Sequence, residues 1–245
     1  MEQEKIFARL LPIITRYYRE QGSGPFVEYF DPDELDERLQ LDNGGGRQDW
    51  DELFAWVEQY LRHAVKTGHP GYVNRMWADA NLPSVIGEMI TAITNTSACT
   101  YETAPVSTLM EKYLLRTMLE LAGFENGSAQ MTTGSSNANM IAMMAARNTR
   151  DAAIKRSGLS GRPQLYGFVN ADAHYSMDRA ANILGIGTEH LIKVEVDDHG
   201  RMTGAALEAA IEAVQAAGGE VFFVAATAGT TVRGAYDPLE PLIAL

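Results

Sequence analysis

The sequence runs to 245 residues, which at ~150 residues per domain is one large domain or a small one beside a medium one. Hydrophobic residues make up 46% and charged residues 21%, ordinary globular usage that sets aside disorder, collagen-like repeats and coiled coil. Twenty basic against 32 acidic residues leave a net charge of −12, a field that repels phosphate backbones and argues against nucleic acid as a partner.

From Ile6 to Gln21 apolar residues recur at helical spacing, with Pro12 arguing for a kink or a break into two helices. Asp31-Pro32 has the form of an N-cap followed by proline at the first helical position. The glycine run at 44–46 is a flexible turn before a helix expected over about 49–67. These first segments carry Trp50, Phe54, Trp56, Tyr60 and Leu61, more apolar surface than short helices bury between themselves, so a neighbour is needed, either the rest of the chain or a second copy. Beyond Pro83 two longer helices are expected, over 84–94 and 106–121, the second closed by Gly123. Another starts at the polar cluster 132–137 and runs to Arg150, with Met140, Met143 and Met144 read as its core stripe. Three β-type runs, 165–169, 191–196 and 221–226, then alternate with helical segments near 176–184 and 203–217. That alternation predicts a parallel sheet with crossover helices, whose ligands bind outside the carboxyl ends of the strands. The single cysteine, Cys99, excludes an intrachain disulfide and a cysteine-rich zinc site. No segment has the length and apolarity of a signal peptide or membrane span, and the expected location is the cytoplasm, with no membrane partner.

Three loops could carry chemistry. Gly134-Ser135-Ser136 opens a helix, where free backbone N–H groups, two hydroxyls and the positive end of the dipole suit a phosphate, as they also suit an ordinary N-cap. There is no P-loop lysine and no dinucleotide glycine fingerprint. His174 follows the first strand and precedes a helix, where a side chain points either into a ligand cleft or into structure. Thr227-Ala228-Gly229 follows the third strand at the same edge, with small residues that admit a ligand close to the backbone and a hydroxyl that can donate to it. His190, His199, Asp197 and Asp198 lie close in sequence without metal-ligand spacing and read as a solvated turn, so no metal is expected.

Taken together these strings resemble the pyridoxal-phosphate-dependent group II amino-acid decarboxylases of the glutamate, cysteine-sulfinate and aromatic amino-acid type. The likeness rests on His69-Pro70-Gly71-Tyr72-Val73-Asn74-Arg75, Thr100-Tyr101-Glu102-Thr103-Ala104-Pro105-Val106, and Gly134-Ser135-Ser136 with Asn139. It continues through His174-Tyr175-Ser176 with Ala180, Gly200-Arg201-Met202, and Thr227-Ala228-Gly229-Thr230-Thr231 on to Asp237, and so runs from about residue 69 to the end.

The resemblance implies an α/β major domain of the fold-type-I transferase kind over 84–245, a mostly parallel sheet with flanking helices, preceded by an N-terminal helical segment over 1–83. It implies pyridoxal 5'-phosphate as cofactor, with His174 stacked on the pyridine ring as the catalytic residue, Ser135 and Ser136 holding the phosphate, and Thr227 beside the ring hydroxyl. Asn74 and Arg75 fall where acidic amino-acid decarboxylases contact substrate. Relatives carry glutamine at the Arg75 position, and arginine there suits either a distal carboxylate or sulfinate, or an interface ion pair. The expected activity is removal of the α-carboxylate from an acidic amino acid, by a homodimer in the complete form. The family's aspartate facing the pyridine nitrogen and the lysine that anchors the cofactor belong after Asp237-Pro238, past the last residue, so this polypeptide alone is expected to be inactive. Two other readings stand beside this one: a non-catalytic remnant or partner subunit, and a lyase of the same fold with another reaction.

Overall fold

The structure, a computed structural model, describes residues 2–40, 49–74 and 76–245. By its contacts the chain divides into two compact units, Met1–Ala104 and Pro105–Leu245.

The first unit is helical. α1 (Glu2–Arg19) is a single helix that runs through Pro12, so of the two readings, one helix or two, the single helix is the one realised. Pro12 is exposed, and its missing N–H removes one bond from a helix supported at both ends by charges that oppose its dipole, Glu2 and Glu4 at the start and Arg16 and Arg19 at the end. α2 (Pro32–Leu39) begins as its sequence predicts, with Asp31 accepting the N–H of Asp33 and Pro32 in the first turn. α3 (Trp50–His63) is capped by Asp49, whose carboxylate accepts the N–H of Glu52 at 2.8 Å. α3 lies against α1 through Arg16–Glu58 at 2.6 Å, Arg9–Asp51 at 2.7 Å and the Arg9 guanidinium 4.4 Å from the Phe54 ring centroid. Those ion pairs are exposed and contribute ~0–1 kcal/mol each, so burial of Phe54 is the larger part of the contact. α4 (Leu82–Thr94) starts at an Asn81 cap and leaves Ile86, Ile90 and Ile93 exposed.

The second unit contains α5 (Pro105–Leu121), α6 (Ser135–Arg150), a short α7 (Ile154–Ser157), β1 (Leu165–Asn170), α8 (Ser176–Ile183), β2 (Leu191–Val194), α9 (Gly204–Ala216), β3 (Glu220–Ala225) and α10 (Leu239–Ile243). The three strands form one sheet in the order β2-β1-β3, and both pairings are parallel. β1 is central, which explains its nearly unbroken apolar run: a strand covered on both faces has no polar side to show. Its residues alternate between two cores as a period of two requires. Leu165 and Val169 pack with Met143, Met177, Ala180 and Ala181, from α6 and α8. Phe168, with Tyr166 against it, packs with Leu207, Val214 and Leu242, from α9 and α10. A register shift at Tyr166/Gly167 opposite β3 accompanies Phe222 and Phe223 both reaching the first core. Of the methionine stripe on α6, Met143 is fully buried and Met140 packs beside it, whereas Met144, one residue round the helix, is exposed.

Candidate active site

The carboxyl ends of β1 and β3 and the start of α6 open on one hollow of about 500 Å³, lined among others by Ser135, Asn139, His174, Phe223, Thr227 and Thr231. The first two N–H groups of any helix lack partners inside it, and what meets them decides what the helix end can bind. Here the cap position is Gly134, at φ 103°, and no side chain caps the helix. Asn137 and Ala138 donate to the Gly134 carbonyl, at 3.1 and 3.2 Å, while the N–H groups and hydroxyls of Ser135 and Ser136 make no hydrogen bond among the described residues. The N-cap alternative for these serines is therefore not realised. Thr132 donates its hydroxyl to the Gly134 carbonyl at 3.2 Å, and the Asn137 amide donates to the Thr133 hydroxyl at 3.1 Å, so the approach to the helix is fixed by its own side chains. A Cβ built on Gly134 meets nothing within 4 Å, so the space beside the turn is open. An uncapped helix start with two free hydroxyls fits a phosphate.

His174 stands in the turn between β1 and α8. Its Nδ1 accepts the backbone N–H of Ser176 at 3.2 Å and lies 2.9 Å from the Ser176 hydroxyl. That hydroxyl in turn accepts from the Asn139 amide at 2.8 Å. The Tyr175 ring sits against the imidazole, centroids 4.2 Å apart, with the Arg179 guanidinium 4.5 Å from the tyrosine centroid.

Thr227 is placed by a buried carboxylate. Asp237 Oδ2 accepts the Thr227 N–H at 2.7 Å, and the Asp237 N–H donates to the Thr227 carbonyl at 2.9 Å. The other oxygen, Oδ1, accepts the Met202 N–H and the Asn170 amide, each at 2.7 Å. Asn170 also donates to the Gly200 carbonyl at 3.1 Å and accepts the Asp172 N–H at 2.7 Å. The end of β1, the 200–202 loop and the 227–237 loop thus converge on one aspartate.

Among the sequence-predicted residues, Ser135, His174 and Thr227 share the hollow, and Ser136 stands next to Ser135 on the same free turn, outside its lining. Asn74, in the first unit, is exposed and closes a turn by accepting the Met76 N–H at 2.8 Å. Arg75 lies outside the described residues. At the 197–201 turn, Asp197 accepts the N–H groups of Arg201 and His199 and the Arg201 guanidinium. The Arg201 backbone N–H above all, and then its side chain, hold that carboxyl below the usual aspartate range. Asn139, Ser176, Asn170 and Asp237 carry no role in the sequence reading. The available signals are a polar residue closing an otherwise apolar strand at Asn170, and the place of Asn139 and Ser176 beside Ser135 and His174 in the quoted strings.

A parallel sheet covered on both faces, with its hollow outside the strand carboxyl ends and a bare helix start at the rim, is the arrangement of α/β proteins that bind small ligands at that edge. The model of the pyridoxal-dependent decarboxylase conserved domain matches residues 32–245, and the chain belongs to that family. It is 38% identical over 215 residues to acidic amino acid decarboxylase GADL1 of Bos taurus, covering 88% of this chain and 41% of that protein. It is 37% identical over 215 residues to human cysteine sulfinic acid decarboxylase, covering 88% of this chain and 44% of that one. The crystal structure of mouse CSAD in its apo form superimposes with a TM-score of 0.94 at 33% identity, over 98% of this chain and 52% of that one. The fold is accordingly the expected α/β, fold-type-I arrangement, and the chain spans less than half the length of these two curated relatives. Among the described residues no helix is long and apolar enough to cross a membrane, and no cluster of His, Cys, Asp and Glu could hold a metal.

Proposed function

We propose that these residues supply the phosphate and ring contacts of a pyridoxal 5'-phosphate-dependent decarboxylase that acts on an acidic amino acid: glutamate, aspartate or cysteine sulfinate. The observation that carries the reading is that Ser135, His174 and Thr227, from three separate segments, line one hollow whose helix start is left uncapped. The substrate class is supported by relatives whose names are acidic amino acid and cysteine sulfinic acid decarboxylase.

Ser135 and Ser136 donate backbone N–H and hydroxyl groups to the phosphate, with the α6 dipole favouring its charge. His174 would stack against the cofactor's ring and limit how substrate can turn in the hollow. Thr227, its backbone N–H held by Asp237, would offer its hydroxyl to the ring hydroxyl. Pyridoxal 5'-phosphate, once bound, supplies the electron sink for the pair left behind when the α-carboxylate departs as carbon dioxide. By resemblance to the family, Asn74 and Arg75 are the candidates for recognising the substrate's acidic group, a role that the planar fork of an arginine suits. Exposed apolar residues along α5 support association with a second copy.

The test is a titration of the chain with pyridoxal 5'-phosphate and with pyridoxal, which lacks the phosphate, followed by absorbance. Binding of the phosphorylated form should be the tighter, and Ser135→Ala with Ser136→Ala should weaken it by ~10–100-fold while leaving pyridoxal unaffected. Equal affinity for the two compounds overturns the assignment.

A further inference from the structure

We propose that Asn139 and Ser176 are positioning residues that hold the His174 imidazole in the tautomer with its hydrogen on Nε2, so that the ring presents an N–H donor to an anionic oxygen in the hollow. The identity of that oxygen, the α-carboxylate of the substrate, rests on the function proposed above. The tautomer itself does not.

The argument is one of hydrogen-bond accounting. A backbone N–H can only donate, so the Ser176 N–H at 3.2 Å from Nδ1 favours a bare lone pair on that nitrogen. The Ser176 hydroxyl, 2.9 Å from the same nitrogen, could donate or accept. Asn139 works in the same direction: its amide nitrogen donates to the hydroxyl oxygen at 2.8 Å and takes none of its hydrogen, so the hydroxyl hydrogen is free to point at the Nδ1 lone pair that the backbone N–H already calls for. The reverse arrangement, with the hydroxyl accepting from a protonated Nδ1, would set that ring hydrogen against the Ser176 N–H. One proton arrangement therefore satisfies all three groups, and a neutral ring so held carries its hydrogen on Nε2. Ser176 is only 1% exposed, so water is a poor substitute for either partner.

The relay also joins two parts of the site. Asn139 lies one turn beyond Ser135 on α6, so the helix that offers its start to the phosphate sets the histidine as well. A bare Nε2 would turn a lone pair toward a substrate carboxylate, and the protonated one donates to it.

The experiment is a long-range 1H–15N correlation of the histidine rings in the 15N-labelled, cofactor-free chain at ~pH 8, where an ordinary imidazole is neutral. The expected pattern for His174 is a protonated Nε2 and a bare Nδ1. In Asn139→Asp the carboxylate takes the Ser176 hydroxyl hydrogen and turns the hydroxyl lone pair to the ring, moving the tautomer ratio by about tenfold or more toward Nδ1–H. Ser176→Ala, a milder change with the backbone N–H still in place, should give a mixture of tautomers. A wild-type ring protonated on Nδ1 overturns the proposal, as does a wild-type pattern kept in both variants. Titration with pyridoxal 5'-phosphate is read separately: failure to bind with the tautomer intact overturns the cofactor assignment alone, and binding with the wrong tautomer overturns the relay alone.

Discussion

The buried carboxylate of Asp237 and the backbone of Thr227 are bonded in both directions, N–H of Thr227 to Oδ2 at 2.7 Å and N–H of Asp237 to the Thr227 carbonyl at 2.9 Å. Asp237 is 4% exposed and Asn170, on its other oxygen, fully buried, so the contacts are made away from water. The loop after β3 owes its shape to this aspartate rather than to packing alone.

Asp237→Ala leaves the N–H groups of Thr227 and Met202 without acceptors and removes one of the two acceptors of the Asn170 amide, and buried donors so stranded cost ~1–3 kcal/mol each. A loss of ~3 kcal/mol or more is expected in urea denaturation. Asp237→Asn keeps the shape but faces an NH2 group toward existing N–H donors, and should cost ~1–3 kcal/mol. Stability unchanged in the asparagine variant would show that the donors find other partners.

Gly134→Ala isolates the backbone at the start of α6. The glycine sits at φ 103°, and an added Cβ meets no atom within 4 Å, so any cost is conformational and not steric crowding. A cost of ~1–2 kcal/mol is expected, with weaker binding of pyridoxal 5'-phosphate because the serine N–H groups turn out of line. A variant with normal stability and normal binding would mean that the left-handed turn is not needed to aim them.

The sheet and its edge were legible because their signals are local. Leu165–Val169 is an apolar run bounded by Pro163 and Asp172, and His174 and Thr227 follow strands directly, so topology alone brings them to one side. The polar contacts that fix the site were not legible, because they join residues far apart in sequence: Asn139 to Ser176 spans 37 positions and Asn170 to Asp237 spans 67. No periodicity encodes such pairs. Pro12 is a case where the local rule left one helix or two open, and the single helix is realised because α1 keeps its remaining bonds and packs on α3 through Arg9 and Arg16. Met144 was taken with Met143 as core, although adjacent helical residues point ~100° apart.

The 197–201 turn should be sensitive to acid alone. Asp197 accepts three donors, and the Arg201 N–H and side chain depress its pKa below that of an ordinary aspartate. A group whose pKa is lowered by folding contributes stability above its unfolded value, and loses that contribution as pH falls through the lowered one. The amide signals of His199 and Arg201 should therefore hold steady through ~pH 4 and move only at lower pH, and Asp197→Asn should abolish the transition. A midpoint at or above the ordinary aspartate value would contradict the hydrogen-bonding account.

The last prediction concerns α5, on which Met110, Leu114, Met118 and Leu121 recur at three- and four-residue intervals and are all exposed, Leu121 at 84%. Isolated apolar residues on a surface are ordinary, but a stripe of them along one helix face is the signature of a covered interface. Burying each such side chain contributes ~1.5–3 kcal/mol, enough for a few of them to drive self-association at micromolar concentration. Sedimentation velocity should show concentration-dependent association that saturates at two copies, and Leu114→Lys with Met118→Lys should shift it to monomer without altering the helical circular dichroism. A chain that stays monomeric across the concentration range, or lysine variants that associate as before, would remove α5 from the interface and leave its apolar face to another part of the protein.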